Sequence, residues 1–116
     1  MGIALIVLAI ILGLAATGSA IMKLRRDPKV IASMHSVGVR DNQVPWLASL
    51  EVLGTVGLIV GIWIVPIGIA AAIGLTAYFL GAVLAHLRAR APFKEVAPAG
   101  VLMLLALATA ILEVAR

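Results

Sequence analysis

The stretch from Pro45 to Leu87 constrains this chain most: 43 residues in which Glu51 and His86 are the only acid and the only histidine, with no lysine or arginine. As a single helix it would be about 65 Å long, twice the ~30 Å hydrocarbon core of a bilayer. It must therefore fold back, and Ile64-Val65-Pro66 is the place: proline suits the first turn of a new helix, and Trp63 can anchor at the interface. The rest of the sequence agrees with a membrane setting. Hydrophobic residues make up 64% of the 116-residue chain and the mean hydropathy is +1.22, well above the roughly 45–50% apolar content of soluble proteins. Gly2 to Met22 is an uncharged run long enough to span, read as a retained span because no basic segment precedes it. A last span runs from about Ala97 to Val114, opened by Pro98. The expected fold is all-α, an integral membrane four-helix bundle forming a single domain over 1–116, with spans at about 2–22, 45–64, 66–87 and 97–114.

Between the first two spans, Asp27-Pro28 pairs an N-cap residue with an N1 proline, and Val30, Ile31, Met34 and Val37 fall near one helical face before Gly38. This predicts a short amphipathic helix over about 28–37 lying at the membrane interface. Lys23, Arg25, Arg26, Lys29 and Arg40 occupy this first connection, and Arg88, Arg90 and Lys94 the third; the far side carries only Arg116. By the positive-inside rule, both basic connections are cytoplasmic and both termini face outward from the cell (inner) membrane. The net charge of +4 thus reflects topology rather than nucleic-acid binding. With no cysteine, thiol nucleophiles, disulfides and iron–sulfur clusters are excluded. Two histidines on separate elements, without motif spacing, do not make a metal or haem site.

Glu51 lies about 9 Å into the second span from its cytoplasmic end. A carboxylate at such depth costs several kcal/mol unless it is paired, protonated or hydrated, and it faces the bundle interior. The third span descends to the same side and ends at His86. Lys23 closes the first span there, with Thr17 and Ser19 one to two turns above it, and Tyr78 lies two turns deeper than His86. Polar residues from three spans converge in the cytoplasmic half. Each taken singly has a plainer reading: an interfacial ring for His86, a topology determinant in Lys23, back-bonded hydroxyls in Thr17 and Ser19, packing for Tyr78. At the other end, Glu113 is expected to snorkel outward or to pair with Arg116. The Gly57-Leu-Ile-Val-Gly61 motif, with Gly54, and the Ala70/Gly74 and Ala77/Gly81 pairs read as close packing inside the bundle, with a homodimer face as the alternative.

These residues resemble the DoxX-like family of small four-helix membrane proteins. The matching features are Lys23-Leu24 at the end of the first span, V-G-V (37–39) ahead of Pro45-Trp46-Leu47, and L-E-V-L-G-T-V-G-L (50–58). A proline-opened third span and A-H (85–86) before a basic connection complete the match. The family's recurrent polar positions fall on Lys23, Glu51 and His86. The resemblance implies roles such as membrane subunits of quinone-linked oxidoreductases or anchors for redox partners. Similar four-helix bundles with an intramembrane acid isomerise or open rings of sterol-like, terpenoid or epoxide substrates.

Three functional expectations follow. In the first, Thr17, Lys23, Glu51 and His86 bind a quinone or other lipophilic small molecule in a redox-linked membrane system; the chain itself carries no cofactor and relies on a partner redox subunit. In the second, a cofactor-free isomerase, cyclase or epoxide-opening enzyme uses Glu51 as general acid, base or nucleophile, with His86 and Tyr78 as catalytic partners. In the third, Glu51 pairs with Lys23 or His86 to fix the bundle, and the chain recruits partners.

Overall fold

The computed structural model describes residues 2–115, which form five α-helices and no strands among the described residues. They are α1 (Gly2–Leu24), α2 (Pro28–Ser36), α3 (Val44–Val60), α4 (Val65–Arg88) and α5 (Phe93–Ala115). Three of them, α1, α4 and α5, are long and apolar enough to cross a membrane. At 17 residues, α3 is shorter, about 26 Å of helix. Mean hydropathy over these helices and their lipid-type surfaces identify an integral membrane protein.

The interior of the structure is built from small and medium side chains. Leu12 and Ala16 of α1, Leu58 of α3, Ala72, Leu75 and Phe79 of α4, and Ala106 and Ala110 of α5 form one buried cluster. α1 packs against α3 and α5, and α4 packs against the same two, so these helices close a ring with α2 outside it. The outward faces are as apolar as the core: Leu14 is 71% exposed, Leu53 67% and Leu104 60%. Apolar surface on that scale is unstable in water and marks a lipid-facing wall. The hydroxyls of Thr55, Thr76 and Thr109 donate to the carbonyls of Glu51, Ala72 and Leu105 at 3.1, 2.7 and 2.8 Å. Each such bond satisfies a polar group that lipid cannot.

The helix ends follow local chemistry. Asp27 caps α2, its carboxylate accepting from the backbone N–H of Lys29 at 3.0 Å and Val30 at 3.3 Å. Gly38, at φ +87°, closes the same helix in a Schellman motif, with Gly38 N–H donating to His35 and Val39 N–H to Met34. The ends of α1 and α4 close the same way, with arginine in the left-handed position: Arg26 at φ 56° and Arg90 at φ 55°. All three motifs lie at one end of the structure, the end where the basic residues cluster.

Several boundaries differ from the sequence expectation. The second apolar helix stops at Val60 rather than 64, and α4 starts at Val65, with Pro66 still in its first turn. The last helix begins at Phe93, four residues before the expected start, and Pro98 lies inside it. Pro92 is the residue that sets this start, since its carbonyl accepts from Glu95 and Val96. Pro92 precedes the first helical residue, where an N–H has no helical partner, whereas Pro98 lies in the second turn of α5 and leaves the Lys94 carbonyl without its helical hydrogen bond.

At the opposite end, α3 and α4 touch through their backbones. A Cβ added to Gly61 would lie 2.2 Å from Gly68 Cα, and one added to Gly57 would lie 2.8 Å from Ala71 Cβ. The GxxxG motif thus packs inside the structure. The α4 positions Gly74 and Gly81 instead meet nothing within 4 Å. Glu113 does not snorkel outward: it is 2% exposed, and a Cβ on Gly68 would meet its Oε2 at 2.5 Å. Its expected pairing with Arg116 lies outside the described residues.

Candidate functional site

Three helices bring polar side chains together at the basic end. α1 supplies Lys23 at its last turn, α3 supplies Glu51 about 10 Å from its start, and α4 supplies Tyr78 about 15 Å from its end. Because α3 runs opposite to α1 and α4, these positions come to one level. Lys23 and Glu51 form an ion pair through Glu51 Oε1. Both are buried, Lys23 at 6% exposure and Glu51 at 0%. Tyr78 donates its phenol hydrogen to the same Oε1 at 3.1 Å. Lys23 Nζ also donates to Ser19 Oγ at 3.0 Å, one turn earlier on α1, and approaches Tyr78 Oη at 3.4 Å.

An ammonium has three N–H donors, and these three oxygens take them. The Tyr78 contact, at 3.4 Å, lies beyond the usual N–H···O range and is the weakest. The ammonium also sits 5.7 Å from the Tyr78 ring centroid, a distance at which the ring face attracts a cation. Tyr78 in turn meets Phe79 edge-on, with centroids 5.1 Å apart. Glu51 Oε1 therefore receives two donors, while its buried Oε2 has no hydrogen-bond partner among the described residues.

A cavity of about 970 Å³ opens beside this cluster. Its wall is mostly apolar, with Leu47, Phe79 and Leu102 among its residues, and it includes Lys23, Ser19 and Tyr78 but not Glu51. The acid stands behind the lysine and the tyrosine. Small residues of α4, Gly81, Ala82 and Ala85, leave the space. α2 covers part of it through Val30, Ser33, Met34 and Val37, which recur at helical spacing along one face.

His86 also lines the cavity but does not join the Glu51 cluster. It follows Tyr78 by about 12 Å along α4 and is 5% exposed. Its Nδ1 lies 2.8 Å from the Ala82 carbonyl, which can only accept, so this nitrogen carries a hydrogen. In the neutral ring, Nε2 is then the acceptor, and Ser33 Oγ at 3.2 Å donates to it. His86 thus ties α2 to α4. Thr17 is half-buried and is absent from both the cluster and the cavity wall; Ser19, two residues on, accepts from Lys23 and lines the cavity.

Ser33 was not singled out in the sequence, though it sits at the i+3 position from Val30 and i−4 from Val37, a polar residue on an apolar face. Lys29 and Lys94 also line the cavity; in the sequence they are indistinguishable from the other basic residues of their connections. Among the described residues, no three histidines, cysteines or acids group as metal ligands do.

Comparison with curated proteins and with solved structures finds no match. The family model of the DoxX-like family matches residues 7–109, a span that contains Lys23, Glu51, Tyr78, His86 and the cavity wall. By that match, the chain belongs to the DoxX-like family.

Proposed function

We propose that this membrane protein binds a lipophilic small molecule of quinone type, as part of a redox-linked membrane system. The observation that carries the reading is the order of groups at the cavity: donors in the wall, Lys23 and Tyr78, and the acid behind them. Such a wall suits a ligand with a hydrogen-bond-accepting oxygen, such as a quinone carbonyl. The long Lys23–Tyr78 contact is the one a ligand oxygen can take over at least cost. Glu51 holds both donors in place and is the base through which a proton can pass. The size of the cavity falls within the range of small-molecule sites.

In this reading the chain is one transmembrane domain that crosses four times, with α2 at the interface. The exposed Trp46, in the first turn of α3, and Trp63, three residues past its end, stand near its two ends, as interfacial anchors do. The basic connections face the cytoplasm and both termini face outward. Electrons come from a partner redox subunit.

A second reading, cofactor-free proton-transfer chemistry, draws on the same geometry. There Tyr78 acts as the acid and Glu51 as the base behind it, with His86 orienting substrate. Glu51 as a nucleophile has less support, because its carboxylate is not in the cavity wall.

The test is titration of the purified protein in nanodiscs with a short-tailed naphthoquinone, read as a thermal shift. Tyr78→Phe and Glu51→Gln should each weaken binding by roughly tenfold, about 1.4 kcal/mol. Wild-type protein that gives no shift, or variants that bind as well as wild type, would overturn the quinone reading. Turnover of a lipophilic epoxide or enone that vanishes in Glu51→Gln would favour the enzyme instead.

A further inference from the structure

The cavity wall carries buried and exposed basic side chains. In its depth, Lys23 is matched by Glu51, so the pair contributes no net charge and suits a neutral oxygen. Elsewhere in the same wall stand Lys29, from the first turn of α2, and Lys94, from the first turn of α5, with the half-buried Glu95. Among the described residues neither ammonium forms an ion pair, and both are exposed. With Lys23 balanced, these two lysines outweigh Glu95 and leave the wall with one positive charge in excess. Topology does not require them there: Arg25, Arg26, Arg88 and Arg90 mark the same end of the structure and are absent from the wall. Val30, Met34, Phe79 and Leu102 supply apolar wall in the same cavity.

Building on the reading of this cavity as a lipophilic site, we propose that Lys29 and Lys94 form a subsite for the anionic headgroup, phosphate or carboxylate, of an amphiphile. Its apolar chain runs inward toward Lys23 and Tyr78. The preferred occupant is therefore charged at one end and apolar toward the other, whereas a neutral quinone fills only the deep part. The anion has two sources: a soluble amphiphile's own group, or the headgroup of an anionic phospholipid of the surrounding leaflet. Both present the same oxygens to the same lysines.

The experiment compares dodecyl phosphate with dodecanol on the full chain in phosphatidylcholine nanodiscs, each titrated by thermal shift. Dodecyl phosphate should bind at least tenfold more tightly, and this preference should shrink to within twofold in Lys29→Gln/Lys94→Gln. It should persist in Arg25→Gln/Arg88→Gln, which removes two charges outside the wall. Doping the discs with phosphatidylglycerol separates the sources: loss of apparent dodecyl phosphate affinity assigns the subsite to a bilayer lipid, and no loss assigns it to a soluble amphiphile. Equal binding of phosphate and alcohol would overturn the proposal, as would a preference that survives the lysine variant or falls equally in the arginine variant. The short-tailed naphthoquinone serves as the independent arm, since its binding should not change in Lys29→Gln/Lys94→Gln. If it fails to bind wild type while the phosphate preference holds, the quinone reading fails and the anionic subsite stands.

Discussion

Lys23 and Glu51, 28 positions apart in the chain, meet as a buried ion pair that joins the end of α1 to the first half of α3. Tyr78 of α4 adds a hydrogen bond to the same carboxylate oxygen. A pair like this holds its helices in register mainly because losing one member strands the other. Lys23→Met or Glu51→Met alone should each destabilise the protein by about 3–5 kcal/mol, whereas the double variant should recover most of that loss. Unfolding midpoints of the four proteins in one detergent give the coupling energy directly. Additive losses would mean that the pair contributes nothing as a pair.

The backbone contact of Gly61 with Gly68 yields to no side-chain movement. Gly61→Ala puts a methyl 2.2 Å from Gly68 Cα and 2.6 Å from its nitrogen, so α3 and α4 must separate. A loss of at least about 3 kcal/mol is expected, at the upper end of overpacking costs. Gly74→Ala, with nothing within 4 Å, should be neutral or gain about 0.5–1 kcal/mol from the helix preference of alanine. Thermal denaturation of the two variants side by side separates the contact from glycine content as such.

Arg90 holds a left-handed conformation, φ 55°, that costs a non-glycine residue about 1 kcal/mol or more. Arg90→Gly should therefore raise stability by about 1 kcal/mol, less whatever its charge contributes at the helix C-terminus. Arg88→Gly, inside the last turn of α4, should lower it by a similar amount. Opposite shifts in melting temperature are the expected result.

Ser33 binds His86 from α2, a helix with no fully buried residue. Removing one neutral hydrogen bond of about 1 kcal/mol in Ser33→Ala should speed amide exchange in residues 28–36 about fivefold. Exchange in α4 should stay unchanged. A uniform rise across both helices would show that the bond supports the whole fold rather than α2 alone.

Much of this architecture was legible in the chain because lipid enforces simple rules. A 43-residue apolar run has to turn back, and the Asp27-Pro28 and Gly38 signals fix α2 at both ends. The convergence of Lys23, Glu51 and Tyr78 followed from counting depth along antiparallel spans. Depth, however, says nothing of azimuth. His86 lies at the same end of the structure as Lys23, yet its ring turns to Ser33 and Ala82 rather than Glu51. Thr17 and Ser19 differ by about 200° around α1, and only the latter faces Lys23. Glu113 was read from its nearness to the chain end; the space against Gly68 that buries it is made by a residue 45 positions away. Such pairings depend on which faces meet, and a lone sequence does not record that.

The shortness of α3 bears on how the protein is made. On the proposed topology, α3 enters the bilayer with about 26 Å of helix and a carboxylate inside it, at the lower limit of what crosses unaided. Lys23 has been synthesised by then and waits at the end of α1, where it can meet Glu51 as α3 emerges. On that topology, an α1 already in place would favour the entry of α3. A chain without Lys23 should therefore insert α3 less efficiently, a loss of yield that adds to the lower stability of the finished fold.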